Sequence, residues 1–116
     1  MADSPEDIRR QRWEAIKCYS AIQNNHIPKD LAGCIQRYYI LGIVPGSFAY
    51  ALLCNNLIAT VNAADGINLS ELYHTVKWLG ERFPWEAWGS KEKVDQHIQN
   101  CWREREAERS LLARKP

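Results

Sequence analysis

The chain has 116 residues, 46% of them hydrophobic and 25% charged, with a formal charge of +1. Those are ordinary values for one globular domain spanning residues 1–116, and they exclude a disordered chain, a strongly basic nucleic-acid coat and an acidic DNA mimic. Five Trp in so short a chain is the one excess.

Ser4-Pro5-Glu6-Asp7 reads as a helix start, with Ser4 as cap, Pro5 in the first turn and two acids at the positive end of the dipole. Ile8, Arg12, Ala15, Ile16, Tyr19 and Ile22 then recur at steps of three and four, predicting an amphipathic helix to about Gln23. Trp13 lies off that stripe and suggests a second buried face. Asn24-Asn25-His26 is the expected stop. A second helix begins at Pro28, with Leu31, Cys34, Ile35, Tyr38 and Leu41 inward and Gly42 as its C-terminal cap. Gly33 inside it suggests a close helix crossing.

Pro45-Gly46-Ser47 is a turn into a third helix, capped by Ser47 and running to about Ala64. Phe48 to Val61 is apolar around most of that helix, which predicts a central position, in the monomer or at an oligomer interface. Asn55 and Asn56 would then be buried amides in need of partners. A fourth helix is expected from a capping box at Asn68 and Glu71, with Leu69, Leu72, Tyr73, Val76, Leu79 and Phe83 inward and Pro84 as its stop. Trp85 and Trp88 fall in a compact aromatic loop. Ser90 caps a fifth helix with Val94, Ile98, Cys101 and Trp102 inward, and fraying is expected after about residue 108. No segment alternates at strand period, so the fold class is all-α, a compact bundle of about five helices.

Asp3, Glu6, Asp7, Arg9, Arg10, Arg12 and Glu14 crowd the start of the chain and leave no apolar core for a signal peptide. No run reaches the roughly 18 apolar residues of a membrane span. Cys18, Cys34, Cys54 and Cys101 are far apart, with no C-x-x-C, and read as small buried hydrophobes rather than a disulfide or metal set. A cytoplasmic protein with no membrane contact is expected.

Charge is unevenly placed. Residues 38–76 contain no Lys or Arg, only Asp65 and Glu71. The helix–turn–helix candidate, formed by the second and third helices, opens its recognition position with Ser47-Phe48-Ala49-Tyr50. That end has none of the Arg, Lys, Asn or Gln that meet base edges, so nucleic-acid binding is disfavoured. The basic ends carry interleaved acids. His26, His74 and His97 are scattered, and metalloprotease, P-loop, dinucleotide and nucleophile-elbow signatures are absent. No catalytic residue, metal or cofactor is assigned, and the chain is not expected to be an enzyme.

Seven residues stand out as ligand- or partner-binding candidates. Gly46 and Ser47 form a helix start suited to an anion, with Arg37 as a possible counter-charge. Asn55 and Asn56 need satisfaction by a loop, a second copy or a ligand. Trp85 and Trp88 suit an interface.

Ile27-Pro28, Tyr38, Gly42-Ile43-Val44-Pro45-Gly46-Ser47-Phe48, Leu53-Cys54-Asn55-Asn56-Leu57, Ala64-Asp65, Asn68 and Trp88-Gly89-Ser90 together resemble a set of small proteins encoded by tailed phages and prophages. The resemblance spans roughly residues 27 to 95. This chain has Asn56 where that set usually has Asp, which removes a negative charge. The resemblance implies an accessory phage protein acting in the host cytoplasm on host machinery or anti-phage defence. The expected function is therefore non-catalytic binding and blocking of a host protein by a homo-oligomer. The alternative is an oligomeric sponge for a nucleotide-type signal, and a nucleic-acid binder is third.

Overall fold

The computed structural model describes residues 4–18 and 27–113, and all structural statements here concern those residues. They hold seven α-helices: α1 (Pro5–Cys18), α2 (Lys29–Leu41), α3 (Ser47–Leu53), α4 (Leu57–Ala63), α5 (Gly66–Ser70), α6 (Leu72–Arg82) and α7 (Lys91–Ala113). A single 3-10 turn (Trp85–Ala87) precedes α7, and no strand occurs. The all-α class therefore holds, with seven helices in place of about five. Tyr19, Ile22 and the helix stop expected at 24–26 lie outside the described residues, as do the side chains of Ile16 and Cys18.

Helices α1, α2 and α7 pack pairwise, α3 lies against α2 and α7, and α4 packs mainly on α3. The core is Leu31, Ile35 and Tyr38 of α2, Leu52 and Leu53 of α3, Trp78 and Leu79 of α6, Phe83, and Val94 of α7. Two long-range bonds tie the aromatic loop to this core. Tyr38 Oη donates to the Ala87 carbonyl at 2.6 Å, and the Gly89 amide donates to the Leu53 carbonyl at 2.7 Å.

The expected caps at the ends of the chain are present. The Asp7 amide donates to Ser4 Oγ at 3.2 Å, and the Lys93 amide donates to Ser90 Oγ at 3.2 Å. Gly42 ends α2 in the left-handed region at φ 70°, its amide bonded to the Tyr38 carbonyl. The close crossing is here and not at Gly33: a Cβ on Gly42 would stand 2.4 Å from Cys101 Cβ. Gly33 instead leaves room for the guanidinium of Arg37, whose Nη1 lies 3.2 Å from where a Cβ would sit.

The predicted third helix is two. Asn55 takes a left-handed φ of 62°, and Asn56 caps α4, its Oδ1 accepting from the Ala59 amide at 3.1 Å. Asn is among the few side chains that tolerate that φ, and it is also a preferred cap. The pair therefore breaks the helix and is exposed, rather than lying buried within it. Only α3 is central; Leu57 and Ile58 of α4 are largely exposed. Ser47 is the first helical residue and Gly46 holds the cap position, with no side-chain bond.

The predicted fourth helix is also divided. Asp65 caps α5, its Oδ1 accepting from the Asn68 amide at 2.7 Å, and the chain bends at Glu71 before α6. A charged Asp at a helix start supplies what Asn68 was expected to supply. Thr75, Trp78 and Leu79 face the core, whereas Leu69, Tyr73 and Val76 face out. Trp13 and Trp102 are about half exposed, so neither marks a buried face. Trp102 instead lies under the Arg105 guanidinium, 5.1 Å from its ring centroid.

Candidate functional site: a polar cleft beside an exposed tryptophan

A cleft of about 260 Å³ opens between α1, α2, α7 and the 3-10 turn. Arg12, Tyr39, Glu86, Lys93, Gln96, His97 and Asn100 supply its side chains. Helical spacing explains the α7 contribution: 93, 96, 97 and 100 recur at steps of three and four, so they share one face. Cys101, one position on, lies buried beneath it.

His97 is buried and stacks on Tyr39, ring centroids 5.2 Å apart and nearly parallel. Its Nε2 lies 2.8 Å from the Tyr39 carbonyl. A carbonyl only accepts, so Nε2 carries the proton and donates it to that bond. Loss of hydration on burial lowers the His97 pKa below its ordinary value, which keeps the ring neutral. Cys101 Sγ stands 3.5 Å from the same nitrogen. This pair is not an activated thiol. The protonated Nε2 has no lone pair with which to accept the thiol proton, and burial pushes the Cys101 pKa up to about 11.

Arg12 reaches across from α1 and bonds Glu104 through both nitrogens, at 2.6 and 2.8 Å. Its Nη1 also donates to Cys101 Sγ at 3.1 Å. One turn further along, Arg9 makes the same paired contact to Glu108 at 2.5 and 2.7 Å. These pairs hold α1 on α7, and they commit two cations of the basic ends to acids of the same chain. Arg10 likewise lies within 4 Å of Glu6 and Asp7, at 3.8 and 3.7 Å. A phosphate backbone would have to compete with those partners.

The outer wall is built around Trp85. Lys93 Nζ donates to the Trp85 carbonyl at 3.2 Å and sits 4.8 Å from the centre of its ring. The indole thus has a cation over its ring while 66% exposed. Gln96 Nε2 donates to Asn100 Oδ1 at 2.9 Å, which aligns the two amides along the cleft.

Of the seven sequence candidates, Trp85 stands at the cleft, beside the lining residues Glu86 and Ala87. Trp88 is partly buried and packs on the core. Gly46, Ser47, Asn55 and Asn56 are exposed elsewhere and line no part of the cleft. Arg37 lies back over Gly33, toward the start of α2, and so points away from the Gly46-Ser47 turn that follows α2. It is not placed to supply that turn with a counter-charge. Helix α3 is also only seven residues long. The residues that sequence reading missed are Arg12, Tyr39, Glu86, Lys93, Gln96, His97 and Asn100. The i, i+3, i+4 recurrence of polar groups on α7 was a visible signal, but that pattern also describes any solvated helix face.

No protein family, curated protein or solved structure matches this chain.

Proposed function

We propose that this chain is a non-catalytic binding protein that blocks a host protein, the role implied by its resemblance to phage accessory proteins, with anti-phage defence in the host cytoplasm as its setting. The observation that carries the reading is Trp85, its ring faced by the Lys93 ammonium and exposed at the edge of a polar cleft. An indole has few rotatable bonds to lose on binding, and Trp is among the residues that dominate interface energy. The cleft beside it offers amides, a cation and an acid to a partner's polar side chain. The neutral His97 and protonated Cys101 suit a binding role, since neither is prepared for proton transfer.

The test is capture of a partner from host extract on immobilised full-length chain, followed by calorimetry with the purified partner. Trp85→Ala is expected to weaken binding by about 30-fold or more, the loss associated with an interface hot spot. Its helical circular dichroism should be unchanged. Binding within threefold of the parent chain refutes the proposal.

One observation favours a second reading. Arg12, Lys93, Gln96 and Asn100 line the cleft near the Tyr39–His97 stack, a combination that also suits a nucleotide-type ligand held as by a sponge. Native mass spectrometry of the protein from infected cells distinguishes the two. A retained small molecule displaced by Gln96→Arg supports the sponge, and a retained protein supports the blocker.

A further inference from the structure

Helix α4 presents Leu57, Ile58 and Val61 to solvent, spaced as one helical face. Ile67 of α5 follows. Leu69 of α5 is exposed too, and beyond the bend at Glu71 Tyr73 and Val76 stand three apart on the outer side of α6. All are between 42% and 75% exposed. The core does not need them, because Thr75, Trp78 and Leu79 on the other side of α6 already fill it.

We propose that the α4–α6 segment is the interface of a two-fold dimer, and that its occupant is the same segment of a second copy of this chain. Three observations carry this. The first is area. The exposed parts of these side chains amount to roughly 800 Å², about what one partner contributes to a standard interface. The whole chain exposes 7652 Å², so the segment would use the usual share of a small protein's surface.

The second is charge. From residue 38 to residue 76 the chain has no Lys or Arg and only two acids, Asp65 and Glu71, with Lys77 next in sequence. Asp65 caps α5, and Glu71 lies 3.9 Å from His74. Homodimer interfaces are the more apolar class, with charge depleted at their centre. An interface that must select a different protein from its rivals uses charge to do so. The seven apolar side chains offer none; Lys77 Nζ, 5.9 Å from the centre of the Tyr73 ring, borders them.

The third is attachment. Helix α4 packs mainly on α3, and α5 mainly on α6. Two short helices, of seven and five residues, thus keep an apolar side in solvent. Isolated helices that short are not stable in water, so cover from a second copy completes their burial. This contact is separate from the Trp85 cleft and does not depend on it.

Sedimentation equilibrium of the full chain over roughly 1–100 µM, a range that brackets moderate affinities, tests the proposal. The expected mass is twice 13.4 kDa. The double substitution Ile58→Asp with Tyr73→Asp should weaken association at least 100-fold and leave the helical signal intact, because both side chains are largely exposed. Trp85→Ala should leave the dimer unchanged. Hydrogen exchange on the unaltered chain gives a second measure: amides of α4 and α6 should slow as concentration rises. The proposal is overturned by a monomer throughout that range, by a dimer insensitive to the double substitution, by exchange in α4 and α6 that ignores concentration, or by a mass that keeps growing past the dimer.

Discussion

Replacing Gly42 with Ala should be among the most damaging single-methyl changes in this protein. Gly42 sits at φ 70°, and its hypothetical Cβ would stand 2.4 Å from Cys101 Cβ, 3.2 Å from the Ile98 carbonyl oxygen and 3.3 Å from Cys101 Sγ. The left-handed backbone costs a non-glycine residue roughly 1–2 kcal/mol. Forcing a methyl into a filled space adds about 1–3 kcal/mol. Loss of unfolded-state freedom returns about 0.4–1 kcal/mol. The net expectation is a loss of about 2–4 kcal/mol, a large part of the roughly 5–15 kcal/mol that holds a domain together. Thermal and urea unfolding followed by circular dichroism measure it, with a Tm fall of roughly 10–15 °C for a chain of this size. The same substitution at Gly80 has the opposite sign. That glycine is exposed within α6 and has nothing within 4 Å. There Ala should add about 0.5–1 kcal/mol through helix propensity. A double-mutant cycle with Cys101→Gly, which removes the opposing Cβ, should show coupling of at least about 1 kcal/mol. A Gly42→Ala loss under about 1 kcal/mol, or no coupling to Cys101, would refute the close crossing. The consequence reaches the site, because this crossing seats the turn of α7 that carries His97 and Asn100.

Three further outcomes are expected. Tyr38→Phe removes the donor to the buried Ala87 carbonyl and should cost about 1–3 kcal/mol. It should also raise proteolysis at the Trp85–Ala87 turn, and an unchanged cleavage rate would show that the bond does not anchor that turn. At Asn55, φ 62° makes Gly neutral or mildly stabilising, whereas Val should cost about 1–2 kcal/mol; equal melting temperatures for the two variants would contradict the left-handed break. His97 has a folded pKa below its ordinary 6.5, so between those two values the unfolded chain binds the extra proton. Its contribution to stability is complete above pH 6.5 and lost as pH falls toward the folded value. Urea titrations of the parent chain and His97→Gln should therefore converge on acidification, and parallel pH profiles would place the acid sensitivity elsewhere.

Local signals in this chain were sound at three helix ends and misplaced at two, where Gly46 and Asp65 hold the cap positions expected of Ser47 and Asn68. Ser4 and Ser90 cap helix starts with their hydroxyls, Gly42 takes the left-handed turn that a missing Cβ allows, and the α2 stripe of Leu31, Ile35 and Tyr38 lies in the core. The two long predicted helices failed for one shared reason. Asn55, Asp65 and the bend at Glu71 are permissive residues that fit within a helix or break it, and local propensities differ by less than about 1 kcal/mol per residue. Packing of α4 on α3 and of α6 into the core decides between those outcomes.

The candidate site was less legible still. Its residues come from α1, α2, the 3-10 turn and α7, and Arg12 meets Glu104 across 92 positions of sequence. Periodicity marks which face of a helix is polar, and it says nothing about which other polar face will oppose it. The same limit applies to Leu69, Tyr73 and Val76. Their spacing requires an apolar partner, and the core could have supplied it. Only the tertiary structure gives the core to Thr75, Trp78 and Leu79 and turns the other stripe outward. The amino-acid sequence by itself determined an all-helical chain and most of its caps, because those depend on hydrogen bonds and steric limits within a few residues. Which stripe is buried, where the crossing falls and which polar groups share a cleft depend on long-range packing, and those were decided only when the helices met.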